Sequence, residues 1–354
     1  MGGELGGPAR GRPARREPSA DGPVRVFISG ATGLIGSHLA GELRAHGHDV
    51  VALVRATSDT GHLRELGCAL VAGDVRDEPE RLIPLMHGST HVVHGAALVY
   101  AGDQWPRVRA VNVDGTRNVL RAAAQAGVGH AVHVSSVAVY GSADGPVDES
   151  TPIDQAIPSD DLYARSKREA EEVARGIEAK RGLPVAIVRP SAVYGERDRL
   201  MTPAVADLLR LPVVPLFGPG DNSLPVVYAG NVAEAIRLVL EAGAGGVTFD
   251  VGLDFPLTQR ALFELLAEGL GRKRRFVSIP AGLVRGGADA LTRLGFTTPG
   301  AEHLPLERVA RLALGENPYP SRRIRSELGW SPSHRHEDAL PRSGAWLRAQ
   351  PAKA

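Results

Sequence analysis

From Val24 to about Pro190, short runs of Val, Ile, Leu and Ala alternate with longer stretches in which apolar residues recur at helical spacing. That alternation predicts an α/β fold built on a doubly wound parallel sheet. Strands are expected at Val24–Ser29, Asp49–Val54, Ala69–Val71, His91–His94, Ala131–Ser135 and Val185–Val188, with helices at about Ile35–His46, Arg107–Ala126 and Tyr163–Lys180 between them. Beyond Pro190 the pattern changes to Pro- and Gly-rich loops with shorter elements, including helices at Asn231–Glu241 and Thr258–Gly269. The chain therefore divides into a sheet domain over 23–190 and a smaller C-terminal α/β lobe over 191–332, part of which returns to the sheet. Residues 1–22, rich in Gly, Pro and Arg without an apolar run, read as a disordered tail, and 333–354 read as a polar C-terminal tail.

At 354 residues the chain is too long for one small core. Its 41 Lys and Arg against 40 Asp and Glu leave a net charge of +1, which gives no electrostatic reason to expect nucleic acid or a membrane surface as partner. The single cysteine, Cys68, excludes an internal disulfide and a thiolate metal cluster and fits a reducing cytoplasm. Arg15-Arg16 is followed by Glu17-Pro18 rather than an apolar segment, which argues against an export signal. The apolar stretch Ile279 to Phe296 is broken by Arg285, Asp289 and Arg293, so no membrane span is expected.

The first strand runs straight into Gly30-Ala31-Thr32-Gly33-Leu34-Ile35-Gly36, and a helix-like stretch follows. Glycines there allow a tight turn and let the backbone approach a pyrophosphate, while the helix N-terminus supplies unpaired N–H groups. A glycine triplet alone describes any strand-to-helix turn; placed at the start of a βαβ unit it points to a Rossmann domain and a dinucleotide. The second strand ends at Arg55, where NAD-binding chains place an acid for the ribose; an arginine there, with Thr57 and Ser58, can meet a 2′-phosphate, or it can stand solvated. NADP is thus favoured over NAD. Asp74, followed by Val75, can reach the adenine amine or cap the next helix.

Tyr163 and Lys167, four residues apart, share one helical face. A nearby ammonium favours the phenolate, so the tyrosine can exchange a proton near neutral pH, although the spacing also fits an exposed pair. Ser135-Ser136-Val137-Ala138-Val139-Tyr140-Gly141 ends the fifth strand, on the sheet edge where ligands bind, and a serine hydroxyl there can hold a reacting oxygen beside the phenol.

Together with His94-Gly95-Ala96-Ala97, Asn112-Val113-Asp114-Gly115-Thr116, Arg189-Pro190 and Glu327-Leu328-Gly329-Trp330-Ser331-Pro332, these motifs resemble those of an extended short-chain dehydrogenase/reductase. The resemblance is to the superfamily of NAD-dependent epimerases/dehydratases and 3β-hydroxysteroid dehydrogenases, and it runs from about Val24 to Pro332. It implies Tyr163 as general acid/base, Lys167 as the group that lowers its pKa and bonds the nicotinamide ribose, and Ser136 as the group that orients the substrate oxygen. Ser135 is the neighbouring alternative, since strand alternation turns only one of the two toward the site. By the same resemblance Ala96 and Ala97 pack beside the phosphates, Asn112 braces the helix under the site, Pro190 borders the nicotinamide, and a homodimer forms through the Tyr163 helix.

Val137-Ala138 stand where dehydratases of this superfamily carry an Asp-Glu pair, which argues against dehydration. Ala192 and Leu224 replace the asparagine and arginine that serve a nucleotide-sugar diphosphate, so a less charged substrate is expected. Gly218-Pro219-Gly220-Asp221-Asn222, followed by Asn231, is closer to the sterol and hydroxysteroid branch. Leu208, Leu209, Leu211, Val213, Val214, Leu216 and Phe217 can line an apolar pocket or form core. The expected activity is alcohol–ketone interconversion on a small, lipid- or steroid-like molecule. The alternatives are a nucleotide-sugar epimerase with bound NAD and a cofactor-binding regulator without turnover. His91 and His94 point to opposite strand faces, and His334 and His336 lack a ligand framework, so no metal is expected.

Overall fold

The computed structural model describes residues 22–99, 104–141, 145–153, 157–159, 161–284, 286–287, 314–315 and 317–350. Strand β1 (Arg25–Ser29) is buried at every position after the first, which suits a strand with helices packed on both of its faces. Around it run β2 (Asp49–Val54), β3 (Ala69–Ala72), β4 (His91–His94), β5 (His130–Val134), β6 (Val185–Pro190) and β10 (Thr248–Val251). They form one seven-stranded sheet in the order β10-β6-β5-β4-β1-β2-β3. All six pairings are parallel, and the chain order reverses direction between β1 and β4, which opens a crevice at their C-terminal ends. This is the Rossmann arrangement, with β10 joining its edge from the second half of the chain.

One face is covered by α1 (Leu34–Ala45) and α8 (Ala229–Ala242), whose Leu39, Leu43, Val232 and Ile236 join Ile28 and Val93 in a common core. On the other face α5 (Gly115–Gln125) and α6 (Leu162–Arg181) bring Val119, Leu120 and Ala174 against Phe27 and Val92. The single helix expected over Arg107–Ala126 is in fact three pieces: α4 (Trp105–Arg109), a π-helical turn Ala110–Asp114, and α5. The wider turn lets Asn112 aim its amide out of the helix, where it accepts from Leu98 N (2.7 Å) and donates to Leu98 O (2.9 Å).

The lobe is built on α7 (Met201–Leu208), the parallel pair β8 (Val213–Phe217) and β11 (Arg275–Ile279), and α9 (Gln259–Gly269). A second small pair joins β7 (Ala192–Tyr194) to β9 (Val226–Tyr228). The expected polar tail at 333–354 is a correction: His336–Ala349 is a helix with Ala339 and Leu340 in the lobe core. It docks because Asn231, fully buried, holds the chain at His334 by donating to its carbonyl (2.8 Å) and accepting from its N–H (3.0 Å). Most of the expected N-terminal tail, residues 1–21, and most of the apolar stretch that begins at Ile279 lie outside the described residues. No described helix is long and apolar enough to cross a membrane.

Candidate active site

Gly30 and Gly36 show why the turn after β1 needs glycine. Gly30 has φ +79°, and a Cβ on it would sit 2.6 Å from Ala96 N; one on Gly36 would lie 2.2 Å from Gly30 O. Helix, turn and the chain after β4 are therefore in backbone contact, and Ala96 lies directly against the turn. Gly33 caps α1 in extended conformation with no side chain over the helix end and no acidic residue in the first turn. The first-turn N–H groups, with Thr32, Leu34 and Ile35 at the mouth, can accept a pyrophosphate. The bare cradle fits a dinucleotide.

At the ends of β2 and β3, Arg55 is exposed, its N–H donating to Ser58 Oγ (3.1 Å). Asp74 does not cap α3 (Pro79–Leu82), whose N-cap is Glu78. Its Oδ1 accepts from Arg76 N and Nε (both 2.9 Å) and its Oδ2 from Arg76 Nη2 (2.9 Å). The bond from Arg76 outweighs partial burial, and the carboxyl is held below its usual range. Arg76, which sequence reasoning passed over, thus occupies one edge of this carboxylate; its position two residues after Asp74 in a turn was the available signal. Val75 packs on α5, where a Cβ on Gly115 would come within 2.9 Å of it.

Asp161 starts α6 by accepting from Ala164 N (3.0 Å), and Tyr163 and Lys167 follow on one face of the helix. Lys167 is 4% exposed; its Nζ donates to Val134 O (2.8 Å) and lies 5.8 Å from the Tyr163 ring centre. Arg168 donates from Nε to Val139 O (2.7 Å). Two consecutive side chains of α6 thus grip the chain on either side of Ser136, which ends the β5 loop and caps the short 3₁₀ turn Val137–Tyr140 by accepting from Ala138 N (3.2 Å). Ser136 and Tyr163 are half-buried, whereas Ser135 is 3% exposed and its Oγ has no hydrogen-bond partner among the described residues. Burial lowers the Lys167 pKa to about 8, with Glu171 acting against the shift. Pro190 is buried at the end of β6. Ala97 lies half-buried beyond Ala96.

Sequence reasoning missed Ser166. Its Oγ accepts from Asn112 Nδ2 (2.9 Å) and donates to the Tyr163 carbonyl (2.8 Å), tying the π-helical turn to the first turn of α6. Beneath Lys167, His94 sits between Ser29 Oγ (2.6 Å) and Thr116 Oγ1 (2.9 Å) and stacks on His133 with ring centres 5.5 Å apart. Burial, then the Lys167 charge, lower the His94 pKa to about 3, and the same influences push His133 well below its usual range. Both rings are neutral. Arg189 closes the layer with a bidentate pair to Glu171 (2.8 and 2.6 Å) and a bond to the Tyr140 hydroxyl (2.7 Å).

A second network joins the sheet domain to the lobe. Glu196, in the loop after β7, accepts from Arg342 Nε (2.6 Å) and the Tyr228 hydroxyl (2.9 Å) and lies 3.2 Å from His38 Nε2 of α1. Burial would raise its pKa, but bonds from His38, its own N–H and Arg342 more than reverse this and hold it well below the carboxylate range. His336 lies 2.8 Å from the Tyr194 hydroxyl, donates to Phe255 O (3.0 Å) and is 3.3 Å from Asp254 Oδ1. Among the described residues there is no cluster of three or more His, Cys, Asp or Glu placed to hold a metal ion.

The model of the NAD-dependent epimerase/dehydratase family matches residues 26–252. The chain belongs to this family of extended short-chain dehydrogenases/reductases. A 4-hydroxy-2-methyl-3-oxo-4-farnesyl-3,4-dihydroquinoline-1-oxide ketoreductase of Stigmatella aurantiaca is 30% identical over 94% of this chain and 100% of its own. A 3-beta-hydroxysteroid dehydrogenase of Mycolicibacterium neoaurum is 25% identical over 89% of each. Among solved structures, the dTDP-glucose 4,6-dehydratase DesIV of Streptomyces venezuelae, solved with NAD bound, superposes with a TM-score of 0.69 at 28% identity, covering 92% of this chain and 97% of its own. The family thus spans oxidoreductases and dehydratases that share one scaffold.

Proposed function

We propose that the protein is an NAD(P)-dependent oxidoreductase that interconverts a secondary alcohol and a ketone on a small, lipid- or steroid-like molecule. One observation carries the reading. Lys167, one helical turn from Tyr163, is buried and fixed to the Val134 carbonyl two residues before Ser136. In reduction, Ser136 and Tyr163 hydrogen-bond the carbonyl oxygen, and the phenol gives its proton to the forming alkoxide. The Lys167 ammonium, largely charged at neutral pH given a pKa of about 8, stabilises the phenolate left behind. Asn112 and Ser166 fix the helical turn that bears the phenol. The bound nicotinamide supplies or accepts the hydride; the glycine turn with Thr32, Leu34, Ile35, Ala96 and Ala97 would hold its phosphates, Asp74 and Val75 its adenine, and Pro190 its ring.

Val137 is buried and neither it nor Ala138 can move a proton, which disfavours dehydration. Leu224 is buried and Ala192 sits on β7, so neither offers a diphosphate a partner. The ketoreductase and hydroxysteroid dehydrogenase relatives favour an apolar ketone. Exposed Arg55, with Asp74 engaged by Arg76, favours NADP. The test is stoichiometry: incubated with apolar ketones, the protein consumes one reduced cofactor per alcohol formed. Turnover of a nucleotide sugar with no net change in cofactor would replace this reading with epimerisation.

A further inference from the structure

The balanced charge of the whole chain conceals a local imbalance in the lobe. Residues 205–217 and 266–280, which include β8, β11 and their approaches, hold five cations (Arg210, Arg272, Lys273, Arg274, Arg275) against two carboxylates, Asp207 and Glu268. Arg272 and Arg274 are anchored by donating to the carbonyls of Ala206 (2.8 Å) and Leu209 (2.6 Å) at the end of α7, while Arg210, Lys273 and Arg275 are exposed. Beside them lies an apolar surface. Strand register places Val213 opposite Arg275, Pro215 opposite Val277 and Phe217 opposite Ile279, so these six share one face of the β8–β11 pair. The other face buries Val214 and Leu216 completely. On the outer face Val213 is 47% and Val277 50% exposed, with Leu211 44% exposed at the approach. Parallel pairs are normally covered on both sides, and exposed aliphatic groups of this kind mark a contact surface.

We propose that this face docks on an anionic lipid surface, with Leu211, Val213 and Val277 entering the interfacial region and the basic rim meeting the phosphates. Charge selects this occupant. A second copy stacked face to face would oppose one cationic rim with another. The exposed members are aliphatic rather than aromatic, which suits acyl chains better than stacked bases. The inference does not depend on the reaction assigned above.

Flotation of the full chain with vesicles is the test, using phosphatidylcholine alone and phosphatidylcholine with about one-third phosphatidylserine. The chain floats with the anionic vesicles only, and rising salt releases it. Lys273→Glu with Arg275→Glu lowers the partition at least about tenfold, since each basic group at such a surface is worth roughly fivefold. Val213→Ser with Val277→Ser lowers it by several-fold as well. Both pairs keep the thermal midpoint and cofactor affinity of the unaltered chain. Failure to float with anionic vesicles, equal flotation with neutral ones, or indifference to both pairs overturns the proposal. So does a dimer that Val277→Ser dissociates, or retention on single-stranded nucleic acid without vesicle binding.

Discussion

Lys167 is a buried cation without an ion-pair partner of its own among the described residues, whereas the charges between the sheet domain and the lobe are matched. Two neutral rings, His94 and His133, feel its charge, His94 being held by Ser29 and Thr116, and the carboxylate that acts on it, Glu171, is already held by Arg189. Across the lobe interface Glu196 meets Arg342, Tyr228 and His38 together. In the reaction proposed, the first arrangement lets the ammonium answer a charge that appears on the phenol; the second is satisfied already and serves to hold two parts together. Lys167 and Glu196 are both withdrawn from solvent, so burial alone does not separate a candidate site from a clamp, but the absence of an ion-pair partner does.

Breaking the clamp should give the larger effect on stability. Glu196→Gln is expected to cost about 2 kcal/mol, less than a fully buried pair because Arg342 is 46% exposed, measured by denaturant unfolding. Its pH dependence sharpens the point. A carboxyl held below its unfolded value contributes stability that is complete above about pH 4.5 and fades as pH falls toward the folded value. The Gln variant loses that acid limb, and an unchanged limb would show that Glu196 is not paired in solution.

Lys167 gives a limb of the same sign at alkaline pH. Its folded pKa of about 8 lies below the ordinary 10.5, so the unfolded chain binds the extra proton between these values and stability rises with pH across that window. Lys167→Met removes the rise, as unfolding from pH 8 to 10.5 would show. Ketone reduction should decline over the same rise in pH as the ammonium is lost. The smallest effect lies outside both networks. Arg55→Asp should shift preference from NADP toward NAD by about tenfold, since one charge contact to a phosphate is removed and a ribose acceptor is gained. Equal preferences before and after would contradict the role given to Arg55.

Legibility in the sequence follows the same division. The parallel sheet was readable because its strands are short, apolar and punctuated by glycine turns, and the Tyr163/Lys167 pair because helical spacing alone puts both on one face. The π-helical turn was not readable, since the phase slip of a single extra residue is too small to tell from the scatter of an ordinary amphipathic pattern, and the bonds that mark it, from Asn112 to Leu98 and Ser166, are made to other segments. The C-terminal helix was misread for a related reason. His334, His336 and Arg342 look solvated in sequence, but their partners, Asn231, Tyr194, Asp254 and Glu196, come from distant segments. Polar residues satisfied at long range carry no local signature.

In the reaction proposed, the phenol of Tyr163 moves the proton. Single-turnover reduction of a ketone by Tyr163→Phe, with cofactor saturating, measures it most directly. The rate should fall on the order of a hundredfold or more while cofactor affinity is unchanged. A variant that reduces the ketone at the rate of the unaltered protein would show that another group carries the proton.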